Sequence, residues 1–200
     1  MLPEIIALGP FSVHSYGLAI AVGVFFSLYL MTKRASEMGF PPPPKVFDMV
    51  FVVVLSGFLG ARIFYVVQEW SFYREHLLEI LKLWEGGLVY YGGVVTSLAA
   101  LFLYVKRNHL SFLDSCDFMI PFVALTHAFG RIGCFLNGCC YGKVCSLPWA
   151  VTFPSQSQAV HPTQLYEALF NLVVFGVLFR LYPRRRFLGY ERRGGGELWS

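Results

Sequence analysis

The sequence predicts an all-α, polytopic transmembrane helix bundle, from its composition, the length of its apolar stretches and the placement of its charges. Hydrophobic residues make up 56% of the 200 residues, and charged residues only 14%. Soluble domains carry roughly 25% charged residues, which cover their surface. We therefore expect the excess apolar surface to face membrane lipids, and we expect no nucleic-acid partner.

Five apolar stretches are each long enough to cross about 30 Å of hydrocarbon as a helix. A helix is expected because every backbone amide must find its partner inside the lipid. The stretches lie at about residues 14–32, 46–67, 88–105, 113–136 and 164–182. Prolines punctuate two of the connections, at Pro41–Pro44 and at Pro148, Pro154 and Pro162. The chain is thus expected to form a single integral membrane domain, residues 1–200, with about five spans.

Basic residues alternate between connections, which predicts the orientation of the chain. No Lys or Arg precedes the first stretch, and the second connection is rich in glutamate. Basic residues mark the first and third connections and the C-terminal end, at Lys33, Arg34, Lys45, Lys106, Arg107, Arg180, Arg184, Arg185, Arg186, Arg192 and Arg193. We therefore expect the N-terminus outside and the C-terminus in the cytoplasm. The N-terminus lacks a basic segment, so no removable signal peptide is expected.

Two arginines fall at membrane depth, where an unpaired charge is expensive and so indicates function. Arg131 has His127 and Cys134 one turn away on the same predicted helix face, which favours anion binding over snorkelling to the interface. Arg62 is interpreted equally well as an anion ligand or as the partner of an acid such as Glu167. Paired guanidinium donors suit a phosphate head group.

Two further segments are candidates for the lining of a site. The glycine pairs between Trp84 and Gly93 indicate irregular backbone at a cavity, into which Tyr91 would point; the alternative is an interfacial tyrosine. Before the last stretch, His161–Glu167 predicts a helix start. The Glu167 carboxylate is interpreted as a proton acceptor, as the partner of an arginine, or as a charge that complements the helix dipole.

The five cysteines include a group between residues 134 and 145. The spacing is wider and less regular than in usual zinc sites, so no metal is expected. A disulfide on the oxidising outer face and simple packing of small thiols remain equally open. The group consists of Cys134, Cys139, Cys140 and Cys145.

Five motifs, in this order, resemble the bacterial prolipoprotein diacylglyceryl transferase family. They are His14–Gly17, Gly60–Arg62, Trp84–Gly93, Gly130–Gly142 and His161–Glu167. The resemblance implies transfer of the diacylglyceryl group of phosphatidylglycerol to the lipobox cysteine thiol of a prolipoprotein, with glycerol phosphate as the leaving group. It implies an enzyme of the bacterial cytoplasmic (inner) membrane that works at the outer face without cofactor or metal.

The same resemblance implies roles for individual residues. Arg131 matches the family's signature arginine and is expected to hold the lipid phosphate. The expected catalytic residues are Tyr16, Tyr91, Arg131 and Asn137. The expected substrate-binding residues are Arg131, Arg62, His14, Gly142 and Glu167.

The sequence also departs from the family pattern. Tyr91 stands where the family often has His, Cys134 where it has Asn, and Cys139 where it has Glu. Tyrosine, with a pKa of about 10, is a poor base near neutral pH, so hydrogen bonding is the expected role of Tyr91. Family members continue through two further spans with another functional arginine, so the chain is expected to be truncated or a shortened relative.

Two other functions stay open on the sequence. One is a lipid-binding membrane protein that has kept the cavity without the chemistry. The other is a thiol enzyme that uses Cys134 or Cys139 on the outer face.

Overall fold

The computed structural model describes residues 4–8, 11–38, 43–82 and 86–190, with side chains over 15–35, 44–82 and 86–181. Some residues of the predicted motifs and connections lie outside this part of the chain. They are Pro41 and Pro42, Trp84, and Arg192 and Arg193. The side chain of His14 also lies outside the described residues.

The described chain is mainly helical, as the apolar stretches predict. Two strands come first, β1 (Glu4–Leu8) and β2 (Phe11–His14). Six α-helices follow, and a short 3₁₀ helix (Leu77–Leu81) lies between the third and the fourth. The α-helices are α1 (Ser15–Met38), α2 (Pro43–Gln68), α3 (Trp70–Tyr73), α4 (Tyr90–Arg107), α5 (Phe112–Asn137) and α6 (Thr163–Tyr190).

Among the described residues, four helices are long and apolar enough to cross a membrane. They comprise Ser15–Ala35, Pro44–Gln68, Phe112–Asn137 and Thr163–Leu181. The predicted third span corresponds to α4, which has only 18 residues and ends in Lys106 and Arg107. These two charges lower its mean hydropathy, so the count of five spans stays a prediction.

The N-terminal hairpin departs from the predicted all-α fold. β1 and β2 pair in an antiparallel register that places Leu8 opposite Phe11 and Glu4 opposite His14. β-branched residues such as Ile5, Ile6 and Val13 favour this pairing. The prediction missed it because strands this short carry no membrane-length signal.

The first of two compact units comprises Met1–Met31 and Asp117–Ser200. Small residues let α1 and α5 approach closely: a Cβ on Gly23 would lie 2.7 Å from the Cβ of Phe129. The Ser27 hydroxyl bridges to the same helix, 2.9 Å from the Thr126 Oγ1 atom. Aromatic contacts join α5 to α6, with ring centroids 6.1 Å apart for Phe122 and Phe175. This packing places the C-terminal end of α5 beside the N-terminal ends of α1 and α6.

The second unit comprises Thr32–Cys116 and is built on α2 and α4. A Cβ on Gly60 would collide with Thr96, and a Cβ on Gly93 would lie 3.0 Å from the Gly57 carbonyl oxygen. The Thr96 hydroxyl donates across the interface to the Ser56 carbonyl at 3.0 Å. Small residues and hydroxyl bonds are the usual means of packing helices where lipid removes the hydrophobic driving force.

Candidate functional site

A charged pair joins α5 to α6 in the first unit. The Arg131 Nε atom donates to the Glu167 Oε2 atom at 2.7 Å, and Nη2 donates to Oε1. The side chains of Arg131 and Glu167 are 21% and 44% exposed. This is the two-pronged geometry that guanidinium forms with carboxylate or phosphate. Glu167, one candidate partner for Arg62 on the sequence, is therefore bound by Arg131.

Three thiols lie beside this pair. Cys134 follows Arg131 by about one helical turn on α5, and its thiol lies near the guanidinium. The Sγ atoms of Cys134, Cys139 and Cys140 all lie within 4.8 Å of one another, and we call this group the thiol cluster. The structure describes all five cysteines and joins none of them in a disulfide, so the disulfide prediction is not confirmed. The cluster combines a fixed cation with three sulfur atoms at the C-terminal end of α5.

The end of α5 explains how residues five apart in sequence come together. Gly138 has φ +74°, the left-handed conformation that glycine adopts without strain. Its N–H donates to the Phe135 carbonyl at 3.2 Å, and the Cys139 N–H donates to the Cys134 carbonyl at 3.1 Å. This pair of bonds is the Schellman motif, which turns the chain back over the last helical turn. Cys139 is thereby folded onto Cys134.

Residues at the start of α6 hold the two adjacent cysteines in place. The Gln164 Nε2 atom donates to the Cys139 carbonyl at 2.6 Å, and the Thr163 hydroxyl donates to the Cys140 carbonyl at 3.1 Å. Gln164 is fully buried, and its Oε1 atom has no hydrogen-bond partner among the described residues. Sequence reasoning gave Thr163 no role beyond a helix start and did not consider Gln164. The available signal was their position directly after Pro162, in the first turn of α6.

Cys140 is strained and poorly ionised. Its φ of +62° is unusual for a residue other than glycine or asparagine. Such a backbone conformation costs about 1–3 kcal/mol. Burial, together with the hydrogen bond and charge of Cys139, raises the pKa of the Cys140 thiol. A thiol with a raised pKa is a weak nucleophile near neutral pH, because the thiolate is the reactive form. A role of Cys140 as a nucleophile therefore does not explain its strained backbone conformation.

Two predicted residues lie around the cluster. Tyr16, in the first turn of α1, lies near the thiol cluster and Arg131. A Cβ on Gly133 would lie 3.1 Å from the Tyr16 Cα atom, so this glycine allows the approach. Gly142 is also a packing position, since a Cβ there would lie 2.7 Å from the Thr163 Cγ2 atom. Substrate binding by Gly142 stays a prediction.

The structure does not bring every predicted residue of this unit into these contacts. Asn137 is the last residue of α5 and is exposed. His127 is exposed as well, although it precedes Arg131 by one turn. His161 lies at the base of α6, where its Nδ1 atom is 3.4 Å from the Tyr166 hydroxyl. The catalytic role of Asn137 therefore stays a prediction.

Arg62, in the second unit, has a different environment. Arg62 is only 5% exposed. Its Cζ atom lies 5.4 Å from the centre of the Tyr73 ring and 5.8 Å from the centre of the Tyr65 ring. Its guanidinium donates to five backbone carbonyls at 2.6–3.3 Å, those of Glu79, Ile80, Lys82, Gly86 and Gly87. A guanidinium has five N–H groups, so this arrangement leaves none for a phosphate oxygen. Arg62 organises the connection between α2 and α4.

The glycine-rich segment at the start of α4 is irregular only in the residues that precede the helix. Gly86 and Gly87 have φ of +86° and +76°, whereas Gly92 and Gly93 lie within α4. Tyr91 is 77% exposed, and its ring packs edge-on against that of Tyr90 with centroids 5.6 Å apart. This exposure suits the interfacial alternative, and the catalytic role of Tyr91 stays a prediction.

Comparison with known proteins adds an independent line of support. Residues 3–195 match the family model described as prolipoprotein diacylglyceryl transferase. A phosphatidylglycerol–prolipoprotein diacylglyceryl transferase of Streptococcus uberis is 33% identical over 192 residues, which are 93% of this chain and 74% of that protein. Relatives with the same name are 34% identical in Clostridium tetani (93% of this chain, 75% of theirs) and 37% in Azotobacter vinelandii (92% and 71%).

The order of the motifs, the apolar helices and these matches over nearly the whole chain agree. The chain belongs to the prolipoprotein diacylglyceryl transferase family, a family of multi-pass membrane transferases in lipoprotein biosynthesis.

Proposed function

We propose that the chain transfers the diacylglyceryl group of phosphatidylglycerol to the lipobox cysteine thiol of prolipoproteins. The reaction takes place at the outer face of the bacterial cytoplasmic membrane, with the N-terminus outside and the C-terminus in the cytoplasm. The observation that carries the proposal is the guanidinium fork of Arg131, held by Glu167 between two membrane-length helices. The names of the relatives supply the two substrates.

The geometry supports phosphate binding at Arg131. The bond to Glu167 presents Nε and one Nη atom side by side, which is the pattern that two phosphate oxygens require. Because both partners are partly exposed, a phosphate can compete with the carboxylate at low cost. Arg131 then stabilises the charge that develops on the leaving glycerol phosphate as the carbon–oxygen bond breaks.

The incoming thiol must lose its proton before it attacks. The Tyr91 ring is exposed at the start of α4, where it is not enclosed as a catalytic base would be. We therefore assign Tyr91 a hydrogen-bonding role and Tyr16 a place beside the thiol cluster.

The test is lipidation of a lipobox peptide by the purified full-length chain in phosphatidylglycerol micelles. A mass increase equal to a diacylglyceryl group is expected, with none for a peptide whose lipobox Cys is replaced by Ser. Tight binding of phosphatidylglycerol without transfer would instead establish a lipid-binding protein. Inactivation by a thiol reagent, with another product formed, would indicate the thiol enzyme.

Orientation is tested separately by reporter fusions at Lys45, Lys106 and Lys143. We expect the first two to report the cytoplasm and the third the outer side, since basic connections stay inside. The reverse pattern would place the outer ends of α5 and α6 away from the side where the reaction is proposed.

A further inference from the structure

The thiol cluster is the feature that the proposed function has not used. Its three sulfur atoms lie where the turn at Gly138 folds the chain back over the end of α5. The Cys139 Sγ atom lies 3.7 Å from the Cys134 carbonyl oxygen, so the Cys139 side chain is directed at the helical turn that carries Cys134. Side chains at these two positions of a Schellman motif are frequently in contact. Cys134 and Cys139 are therefore neighbours through the geometry of the turn itself.

We propose that Cys134 and Cys139 form a reversible disulfide, which cross-links the reversed chain to the last turns of α5. Its formation in the cell rests on the proposed function, which places this end of α5 at the outer face, because disulfides persist in oxidising compartments. The structure represents the reduced form, in which the two Sγ atoms lie within 4.8 Å of each other. Rotation about the Cα–Cβ bonds brings the sulfur atoms together while the backbone stays in place.

The choice of this pair follows from the chain that separates the sulfur atoms. The Cys139 and Cys140 sulfur atoms are 3.6 Å apart, but a bond between adjacent residues closes a small ring that distorts the planar peptide bond. Cys140 is exposed, whereas Cys134 is buried against the turn. A bond between Cys134 and Cys139 spans the Schellman turn, whose reversal is already made at Gly138 without strain. Cys140 therefore keeps its thiol when the disulfide forms.

The disulfide joins two parts of the chain that are each bound to α6. Arg131, about one turn before Cys134, pairs with Glu167, and the Cys139 carbonyl accepts a hydrogen bond from the Gln164 side chain at 2.6 Å. In the reduced chain, hydrogen bonds hold the turn against α5 and α6. A covalent bond restricts the unfolded chain as well, so it should stabilise the folded protein. The cross-link thus strengthens the junction between α5 and α6.

The bond forms by exchange with a disulfide oxidant. The Cys139 sulfur, the more exposed of the pair, loses its proton to water and attacks one sulfur of the oxidant, whose own S–S bond breaks. One half of the oxidant leaves as a thiolate and takes up a proton. The Cys134 sulfur then loses its proton and attacks the Cys139 sulfur, which expels the second half in the same way. Two cysteine thiols are oxidised to one disulfide, the oxidant is reduced to two thiols, and excess dithiol reverses the exchange.

The disulfide arm of the test compares the full-length chain in detergent after treatment with oxidised glutathione or with dithiothreitol. The oxidised chain should be lighter by two hydrogen atoms in intact mass. Its midpoint of thermal unfolding should be about 4–8 °C higher, as expected for a disulfide that closes a short loop. Cys134→Ser and Cys139→Ser should each abolish both changes. Cys140→Ser and Cys145→Ser are the matched controls and should keep both.

Several results would overturn the proposal. Both changes in Cys139→Ser, or neither in Cys140→Ser, would assign the bond to another pair. An oxidised wild type that keeps every thiol or gains no thermal stability would remove the cross-link. In cells quenched with acid and then alkylated, we expect the bond in the wild type, and a fully reduced cluster would overturn its formation in the cell.

The activity arm measures peptide lipidation by the oxidised and the reduced chain below both unfolding midpoints. We expect equal rates, because neither sulfur atom takes part in the bonds between Arg131 and Glu167. Transfer by the reduced form alone would show that the reaction needs the free thiols, and it would overturn a purely stabilising disulfide. A disulfide in a chain that transfers nothing in either form supports the cross-link and refutes the proposed function.

Discussion

The two membrane-depth arginines differ in what binds them. Arg62 is almost fully buried, and its N–H groups are taken by backbone carbonyls of its own unit. Arg131 is partly exposed and bound by a single carboxylate, that of Glu167. Backbone carbonyls cannot leave without unfolding their segment, whereas a carboxylate side chain can rotate away. A buried arginine therefore stabilises the fold when its N–H groups donate to the main chain. It is available to a ligand when they donate to a single side chain that can rotate away.

The largest expected effect comes from Arg131. Replacement by Ala should lower the initial rate of peptide lipidation about 10²–10³-fold, the usual cost of losing a donor to developing charge. Arg131→Lys keeps the charge without the fork and should be nearly as impaired. Turnover should fall more than lipid affinity, because the contact strengthens in the transition state. Equal helix content in detergent is the control, and an undiminished rate in folded Arg131→Ala would show that another group binds the phosphate.

Replacement of Arg62 should have the opposite effect: it should lower the stability of the fold and leave lipid binding unchanged. Arg62→Ala leaves several buried carbonyls without donors, each costing about 1–3 kcal/mol. We expect a lower midpoint of thermal unfolding in detergent, with only partial rescue in Arg62→Lys, which has fewer donors. Below the new midpoint, the KM for phosphatidylglycerol should stay near that of the wild type. A stable Arg62→Ala protein with a raised KM would contradict the assignment to the fold and restore Arg62 as a lipid ligand.

The two units differ in which residues have positive φ angles. Substitutions at these positions should have a smaller effect on stability than the loss of Arg62. The connection bound by Arg62 places glycines, Gly86 and Gly87, in the left-handed region, whereas the thiol cluster places Cys140 there. Cys140→Gly should therefore raise the free energy of unfolding by about 1 kcal/mol. Gly87→Ala is the counterpart in the other unit and should destabilise, since a Cβ there would also meet the Arg62 Nη1 atom at 2.7 Å. Denaturant unfolding measures both, and a destabilised Cys140→Gly would show that the Cys140 side chain contributes more than its strain costs.

The smallest expected effect on stability comes from Glu167. Because the pair is partly exposed, Glu167→Gln should change the free energy of unfolding by less than about 1 kcal/mol. Transfer should slow, through poorer orientation of Arg131, but less than in Arg131→Ala. A stability loss as large as that of Arg62→Ala would remove the distinction between the two arginines.

The sequence by itself determined the fold class and the family. The composition and the length of the apolar stretches required membrane helices, because lipid offers no partner for an exposed backbone amide. The motifs carried the family resemblance, and the expense of charge in lipid singled out Arg62 and Arg131. The inferences of apolar helices and of the family succeeded because each depends on local composition or on order along the chain.

Only the tertiary structure decided which groups meet. The pairing of Arg131 with Glu167 depends on how α5 and α6 pack. The use of the Arg62 donors by backbone carbonyls depends on where the chain places residues 79–82 and 86–87. The thiol cluster depends on one reversal at Gly138, which spacing along the chain does not reveal. The role of Gln164 follows from the same reversal, because it bonds a carbonyl that the turn brings over α6. Hydrogen bonds and ion pairs select partners by distance in space, and sequence spacing predicts that distance only within a single helix or strand.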